Sequence, residues 1–339
     1  MRETLANKYR PKEFKDVTEQ VNIITILQNQ IATNSIKSSY LFCGSAGTGK
    51  TTLARIFANE INEHQGYPIE IDGASNNGVD NVRDIIKQAQ TQSISSKYKV
   101  FIIDECHSIS STGWQAFLKL IEEPPQNTVF IFCTTEVQKI PKTILSRVQR
   151  FDFKRISHDG IIKRLEWIIQ HQLINEYQVQ SLEYIAKVAD GGMRDAITML
   201  DKCLSYDPSL TLNKTVECLN LCDYEKMCSL TDCLIRGDAR ETLDCIEVIY
   251  ADGVDLKQFC KQYQDFILDI LKYILEGTLN LTKIPISYAH VIDKLKGAGM
   301  DKYLDILDML NNLNNSIKWD NTPKYQIQAQ FLLAIKKEV

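Results

Sequence analysis

Tyr40-Leu41-Phe42-Cys43-Gly44-Ser45-Ala46-Gly47-Thr48-Gly49-Lys50-Thr51 is the stretch on which the fold turns. Four apolar residues read as a buried strand. The next eight fit the spacing G-x4-G-K-[ST], and Thr52-Leu53-Ala54-Arg55 opens a helical pattern. Strand, glycine-rich loop and helix in that order make a phosphate cradle. Glycines let backbone N–H groups close on phosphate oxygens, and the positive end of the helix faces the anion. The loop from Gly44 to Thr52 is therefore a candidate nucleotide-binding segment, with Lys50 placed to reach β- and γ-phosphates and Thr51 to bind Mg2+.

A second stretch completes the chemistry. Val100-Phe101-Ile102-Ile103 is again a buried strand, and Asp104-Glu105 follow at its C-terminal end. Asp104 is positioned to hold Mg2+, directly or through water, and Glu105 to orient and polarise an attacking water. The two motifs together predict a nucleoside triphosphatase using ATP and Mg2+. His107 extends the acids to a D-E-x-H tetrad, which many nucleic-acid helicases carry; a residue at a helix start with no catalytic part is the plainer reading.

Outward from these motifs, residues 1 to about 156 alternate strands with helices. Strands are predicted at Tyr40–Cys43, Ile69–Ile71, Val100–Ile103 and Val129–Cys133. Helices are predicted near Val21–Thr33, Thr51–Asn62, Asn81–Ser93 and Gly113–Glu122. Alternation of this kind builds a parallel sheet with flanking helices. After Ser157 the strand signal stops. Ile161–Leu173, Gln178–Ala189 and Met193–Leu204 carry apolar residues three and four apart, with a break at Asp190-Gly191-Gly192. From Tyr224 to the end the pattern is helical, punctuated at Asp252-Gly253 and Gly297-Ala298-Gly299. Three domains are expected: an α/β ATPase domain over 1–156, a small helical lid over 157–223 and an all-α domain over 224–339.

Composition agrees. The 339 residues are 44% apolar and 24% charged, as in a globular protein with a core. Gly and Pro number 15 and 8, roughly 4% and 2% against average usage of about 7% and 5%, which favours helix. No apolar run reaches the ~18 residues of a membrane span, and Met1 to Lys15 is charged without an apolar core, so a cytoplasmic protein without a membrane partner is expected. Of the ten cysteines, Cys43 and Cys133 sit in strand-like runs and Cys203, Cys218, Cys222, Cys228, Cys233, Cys245 and Cys260 in helical patterns, and Cys218, Cys222, Cys228 and Cys233 contain no C-x2-C pair. Buried free thiols are expected, and no zinc. A net charge of -4 excludes a chain that is basic throughout, so nucleic-acid contact has to come from local patches or an assembly.

Several further motifs resemble one family. Leu5-Ala6-Asn7-Lys8-Tyr9-Arg10-Pro11 with Phe14 and Asp16-Val17, Glu70-Ile71-Asp72 before Ala74-Ser75-Asn76-Asn77-Gly78-Val79-Asp80, and Leu120-Ile121-Glu122-Glu123-Pro124-Pro125 are three of them. Thr134-Thr135-Glu136-Val137-Gln138-Lys139-Ile140-Pro141, Ile144-Leu145-Ser146-Arg147 and Gly192-Met193-Arg194-Asp195-Ala196 are three more. In this order they resemble the motor subunit of DNA-polymerase clamp loaders, the bacterial gamma/tau type of DNA polymerase III, within the AAA+ ATPases. The resemblance covers most of residues 1–223. It implies that Tyr9, Arg10, Pro11 and Val17 pack on the adenine, that Thr135 is the polar sensor, and that Arg194 is a second sensor. It also implies that Arg147 acts on a neighbouring subunit's nucleotide. Two readings stand without it. Thr135 follows an apolar strand and emerges beside Asp104 at the ligand-binding edge of the sheet, and Arg194, on a helix after two glycines, can reach a γ-phosphate across a cleft.

The implied partners are a sliding clamp, primer–template DNA, DNA polymerase and other loader subunits in a hetero- or homo-oligomer, pentameric in this family. Residues 224–339 would then form the oligomerisation collar. Asn76, Asn77, Arg83 and Lys87 lie on or before a helix that faces DNA in the family; charge pairing on a solvated helix face is the competing reading. The family's four-cysteine zinc module is replaced here by Asn59–Pro68 without cysteine, Ser146-Arg147 is followed by Val148 where the family has Cys, and Glu19 replaces a small residue. The chain thus resembles a short form without the zinc module. Competing readings are a non-hydrolysing stator subunit, a helicase with a second α/β motor domain in residues 160–339, or another AAA+ remodeller.

Overall fold

One parallel sheet organises the N-terminal part of the chain. In order come α1 (Leu5–Lys8), α2 (Val21–Ala32), β1 (Ser39–Cys43), α3 (Lys50–Ile61), β2 (Ile69–Asp72), α4 (Val79–Ala89) and β3 (Lys99–Asp104). They are followed by α5 (Ser111–Glu122), β4 (Thr128–Thr134), α6 (Lys142–Leu145) and β5 (Gln149–Asp152). The spatial order is β2-β3-β4-β1-β5, every pairing parallel, with Cys43 opposite Thr134 and Asp72 opposite Asp104. The strand ends that carry the candidate chemistry are thereby brought to one edge. The computed structural model describes residues 3–91, 96–174, 176–219, 224–279, 281–285, 288–317, 320 and 322–336. Met1, Ser93, where the third predicted helix would end, and Cys222 lie outside them.

The central strands are apolar because helices cover both faces of the sheet. Successive side chains alternate sides. Phe42 and Ile102 join Leu27 and Phe57 in one apolar layer, while Leu41 and Phe101 join Phe117 and Phe132 in the other. The four predicted strands are present. The fifth, β5, was not legible: Gln149-Arg150-Phe151-Asp152 offers a single buried apolar side chain, Phe151, because it is an edge strand. It is held by a polar network instead. The fully buried Tyr40 donates its hydroxyl proton to Gln30 Oε1 at 3.0 Å and accepts from the Lys37 N–H at 2.8 Å, and Gln30 Nε2 donates to Gln149 Oε1 at 2.8 Å.

Three helices follow, α7 (His158–His171), α8 (Val179–Ala189) and α9 (Met193–Tyr206). Helix α7 starts where Ser157 Oγ accepts the Gly160 N–H at 3.0 Å, an N-cap of the usual kind. Its apolar stripe, Ile161, Leu165, Ile168 and Ile169, is fully buried. Glu19 and Gln20, both left-handed at φ 60° and 54°, grip the approach to α7. Gln20 bonds the Lys154 carbonyl at 2.7 Å and N–H at 3.2 Å, and the Glu19 carboxylate accepts from the Ser157 N–H and hydroxyl.

The chain divides into two compact units, Met1–Ser209 and Leu210–Val339. Sheet and three-helix bundle share the first, and residues 210–219 group with the C-terminal helices. The second unit contains α10 (Leu212–Leu219), α11 (Tyr224–Arg236), α12 (Ala239–Ala251), α13 (Leu256–Glu276), α14 (Ala289–Ile292), α15 (Met300–Ser316) and α16 (Pro323–Lys336). Its core is aromatic, with Phe259, Tyr263, Tyr303 and Phe331 fully buried. Gly253 at φ 78° turns the chain between α12 and α13, and Gly299 caps α15, so both predicted breaks are real. Among the described residues after 156 there is no strand, and the second α/β motor expected of a helicase is not found in them. The nine described cysteines are free thiols, seven of them buried, which fits packing rather than cross-linking. Among the described residues no helix is long and apolar enough to cross a membrane.

Candidate active site

The glycine-rich loop leaves β1 between two close contacts. A Cβ on Gly44 would stand 2.7 Å from the Phe153 carbonyl oxygen, and one on Gly47, at φ 72°, would stand 3.0 Å from Gly192 Cα. The Met193 N–H, at the start of α9, donates to the Gly47 carbonyl at 3.0 Å. Gly49 caps α3 at φ 98°, a backbone conformation that costs an L side chain strain. Lys50 is buried inside the loop, its Nζ donating to the carbonyls of Gly44 at 2.9 Å and Ser45 at 2.8 Å. Burial pushes its pKa below the ordinary lysine value. An ammonium so buried is stabilised by an anionic partner, of which a phosphate is one kind.

Across the loop, Thr51 Oγ1 donates to Asp104 Oδ2 at 2.7 Å, and Asp104 Oδ1 accepts the Glu105 N–H at 3.0 Å. A hydroxyl and a carboxylate in contact are hard oxygen donors of the kind Mg2+ takes. Glu105 sits at φ 46°, which turns its side chain out of the strand direction, and Thr135 Oγ1 donates to its Oε2 at 3.2 Å. Thr135, rather than the wholly buried Thr134, therefore reaches the acid pair.

These groups open on a cavity of ≈ 330 Å3, within the usual range for small-molecule sites. The loop contributes Ala46, Gly47, Thr48, Gly49, Lys50, Thr51 and Thr52; the acids are Asp104 and Glu105; the N-terminal segment contributes Tyr9, Arg10, Pro11 and Val17; and Arg194 comes from α9. Gly44 and Ser45 serve from behind, through their carbonyls on Lys50. Arg10 is pushed below the ordinary arginine value by burial first and by the neighbouring Arg55 and Arg194 next. Crowded cations of this kind suit an anionic ligand. Asp190, one possible partner for Arg194, pairs instead with Arg155.

Sequence reading missed Arg164. It lines the cavity, donates to the Tyr9 carbonyl at 2.7 Å and lies over the Trp167 ring at 4.3 Å. Burial pushes its pKa down. An arginine three residues before a tryptophan on an amphipathic helix was the available signal. Ile156 and Ile197 add apolar wall. Arg147 is not part of this cavity: its Nε pairs with Glu122 at 2.8 Å and its Nη1 donates to the Thr143 carbonyl at 2.9 Å. The DNA candidates lie elsewhere too. Arg83 pairs with Asp80 at 2.9 Å, Lys87 pairs with Asp84 at 3.0 Å, Asn76 bonds the Asp72 carbonyl, and the Asn77 carbonyl accepts from the Ser110 N–H.

Sheet order, glycine-rich loop, acid pair and a helical bundle that brings Arg194 to the cavity define an AAA+ P-loop protein. The RuvB Holliday junction branch migration motor of Thermotoga maritima has the same fold at a TM-score of 0.54 and 20% identity, over 67% of this chain and 79% of that one. By sequence, residues 67–157 match the model for DNA polymerase III, delta subunit, and residues 210–295 match DNA polymerase III subunits gamma and tau domain III. DNA polymerase III subunit gamma of Buchnera aphidicola subsp. Acyrthosiphon pisum is 31% identical over 80% of this chain and 79% of its own length. DNA polymerase III subunit tau of Bacillus subtilis is 35% identical over 95% of this chain, which spans 61% of that relative. The chain belongs to the DNA polymerase III gamma/tau family.

Proposed function

We propose that the chain is an ATP-hydrolysing clamp-loader subunit, which opens a sliding clamp and places it on primer–template DNA during replication. The observation that carries this reading is the cavity that Lys50, Thr51, Asp104, Glu105 and Arg194 line together, with Thr51 bonded to Asp104 and Glu105 held from outside the cavity by Thr135. Lys50 neutralises the β- and γ-phosphates; Thr51 and Asp104 hold Mg2+, which offsets phosphate charge; Glu105 orients water; Arg194 senses the γ-phosphate. Tyr9, Arg10, Pro11 and Val17 seat the base. Residues 1–156 serve as the ATPase domain, 157–223 as its lid and 224–339 as the collar of a cytoplasmic, multi-subunit loader that works with DNA polymerase. Arg147 completes a neighbour's site, and Asn76, Asn77, Arg83 and Lys87 approach DNA once their local pairs yield to phosphate.

ATP turnover measured with a clamp, with primed DNA, with both and with neither tests this. Strong stimulation only with both is the expected result. Turnover indifferent to both would favour another AAA+ remodeller, and no turnover with intact ATP binding would favour a stator.

A further inference from the structure

His107 stands on a single 3-10 turn, Cys106–Ser108, immediately after the acid pair, and its side chain is only 15% exposed. Nδ1 lies 3.2 Å from Thr134 Oγ1 and 3.3 Å from Glu105 Oε2, and Nε2 lies 3.4 Å from Glu136 Oε1. Thr134 Oγ1 also accepts the Glu136 N–H at 3.0 Å, and Glu136 pairs with Lys139 at 2.8 Å. The ring thus lies between the acid that follows β3 and the loop that follows β4.

Glu105 has need of such a neighbour. Its side chain is 41% exposed and has three rotatable bonds. A general base has to present one oxygen to the water in a fixed direction, and holding a long side chain in one rotamer costs entropy unless neighbours already fix it. Thr135 and His107 both reach the same oxygen, Oε2. That leaves Oε1 for water.

We propose that His107 is a positioning residue for Glu105: with the proton on Nδ1 the ring is directed at Oε2, and its packing beside Thr134 at the end of β4 sets the direction of the ring. The proposal rests on the reading of Glu105 as the water-orienting carboxylate. The geometry also supplies a competitor. With the proton on Nδ1 the ring donates toward Glu105. With the proton on Nε2 it donates toward Glu136, and Nδ1 accepts from the Thr134 hydroxyl. The first arrangement secures the carboxylate; the second lets it go.

The test uses the full chain in its assembly and reads ATP affinity, kcat and melting temperature separately. H107A should lower kcat by about 10- to 100-fold, the usual cost of losing a group that orients a reacting one, with ATP affinity and melting temperature unchanged. H107N, whose amide reaches the Nδ1 position, should recover most of the rate; H107Q, whose amide sits near Nε2, should not. On an E105Q background H107A should slow the residual turnover no further. Equal loss in H107N and H107A, loss expressed in ATP affinity or melting temperature, or a full additional loss on E105Q would overturn the proposal. E105Q turning over at the wild-type rate would instead sink the role given to Glu105.

Discussion

At the scale of single residues, Lys50 and Glu105 separate binding from chemistry. Lys50 is buried, stripped of water and satisfied for the moment by two loop carbonyls. Phosphate oxygens would replace those carbonyls with full negative charge, so ATP should raise the melting temperature of the wild-type chain. At a ligand concentration of 100 times Kd the gain is about 2.7 kcal/mol. Lys50→Ala should abolish that rise, whereas Glu105→Gln should keep it and lose about 10²- to 10⁴-fold in turnover, the range for a positioned general base. Thermal melts with and without ATP, beside a phosphate-release assay, read both. These two residues were legible because each belongs to a motif that is unbroken in sequence, Gly44–Thr51 for one and Val100–Glu105 for the other. Arg164 was not, because a cation on a helix more than a hundred residues downstream declares no destination until the chain folds.

Among the elements, β1 and β5 make the informative pair. The apolar strand β1 announces itself, and β5 does not, because an edge strand needs only one buried side chain, here Phe151. What helps fix β5 is the polar chain Tyr40–Gln30–Gln149, whose two glutamines lie 119 residues apart and carry no signal individually. Tyr40→Phe removes the hydroxyl that satisfies Lys37 N–H and Gln30 Oε1, and should cost about 1–3 kcal/mol in urea unfolding. The same residue sets an alkaline limit. Burial pushes the Tyr40 hydroxyl up to about 12 from an ordinary value of 10.0. The folded state therefore holds the proton more tightly than the unfolded chain. The stabilising contribution is complete below the unfolded value and declines as pH rises through the folded one. Unfolding titrations should show that decline in the wild type and a shallower one in Tyr40→Phe; identical slopes would remove Tyr40 from the account.

On the scale of the molecule, the question is whether one chain holds a complete site. Arg147 sits outside its own cavity, paired with Glu122, while every other proposed catalytic group lines the cavity or touches Glu105. In the proposed assembly Arg147 serves the next subunit. An arginine supplied in trans can be worth about 10³ to 10⁵ in rate for phosphoryl transfer. Arg147→Ala should therefore bind ATP normally and turn over slowly, and Lys50→Ala should bind poorly with Arg147 intact. Mixed together, with subunit exchange verified by labelling, the two should recover activity wherever an intact Arg147 meets an intact cavity. Exchange without recovery would show that Arg147 has no such role. The sequence could not locate this division of labour from spacing alone, since it depends on where Arg147 is not.

The close approaches at Gly44 and Gly47 bear on how such sites lose their activity over evolutionary time. Phe153 crowds the first glycine and Gly192 the second, both contacts lying within the protein and neither requiring a nucleotide. A descendant that had abandoned ATP but kept its internal docking would still be compelled to keep both glycines. Gly49 is different, since an added Cβ there would meet nothing within 4 Å, and only its backbone angle and the phosphate it serves hold it in place. Decay of such a motif should thus be sought first at Lys50, because Gly49 still answers to its backbone angle. The two glycines upstream can outlive the chemistry, as a fossil of packing rather than a sign of a working motor.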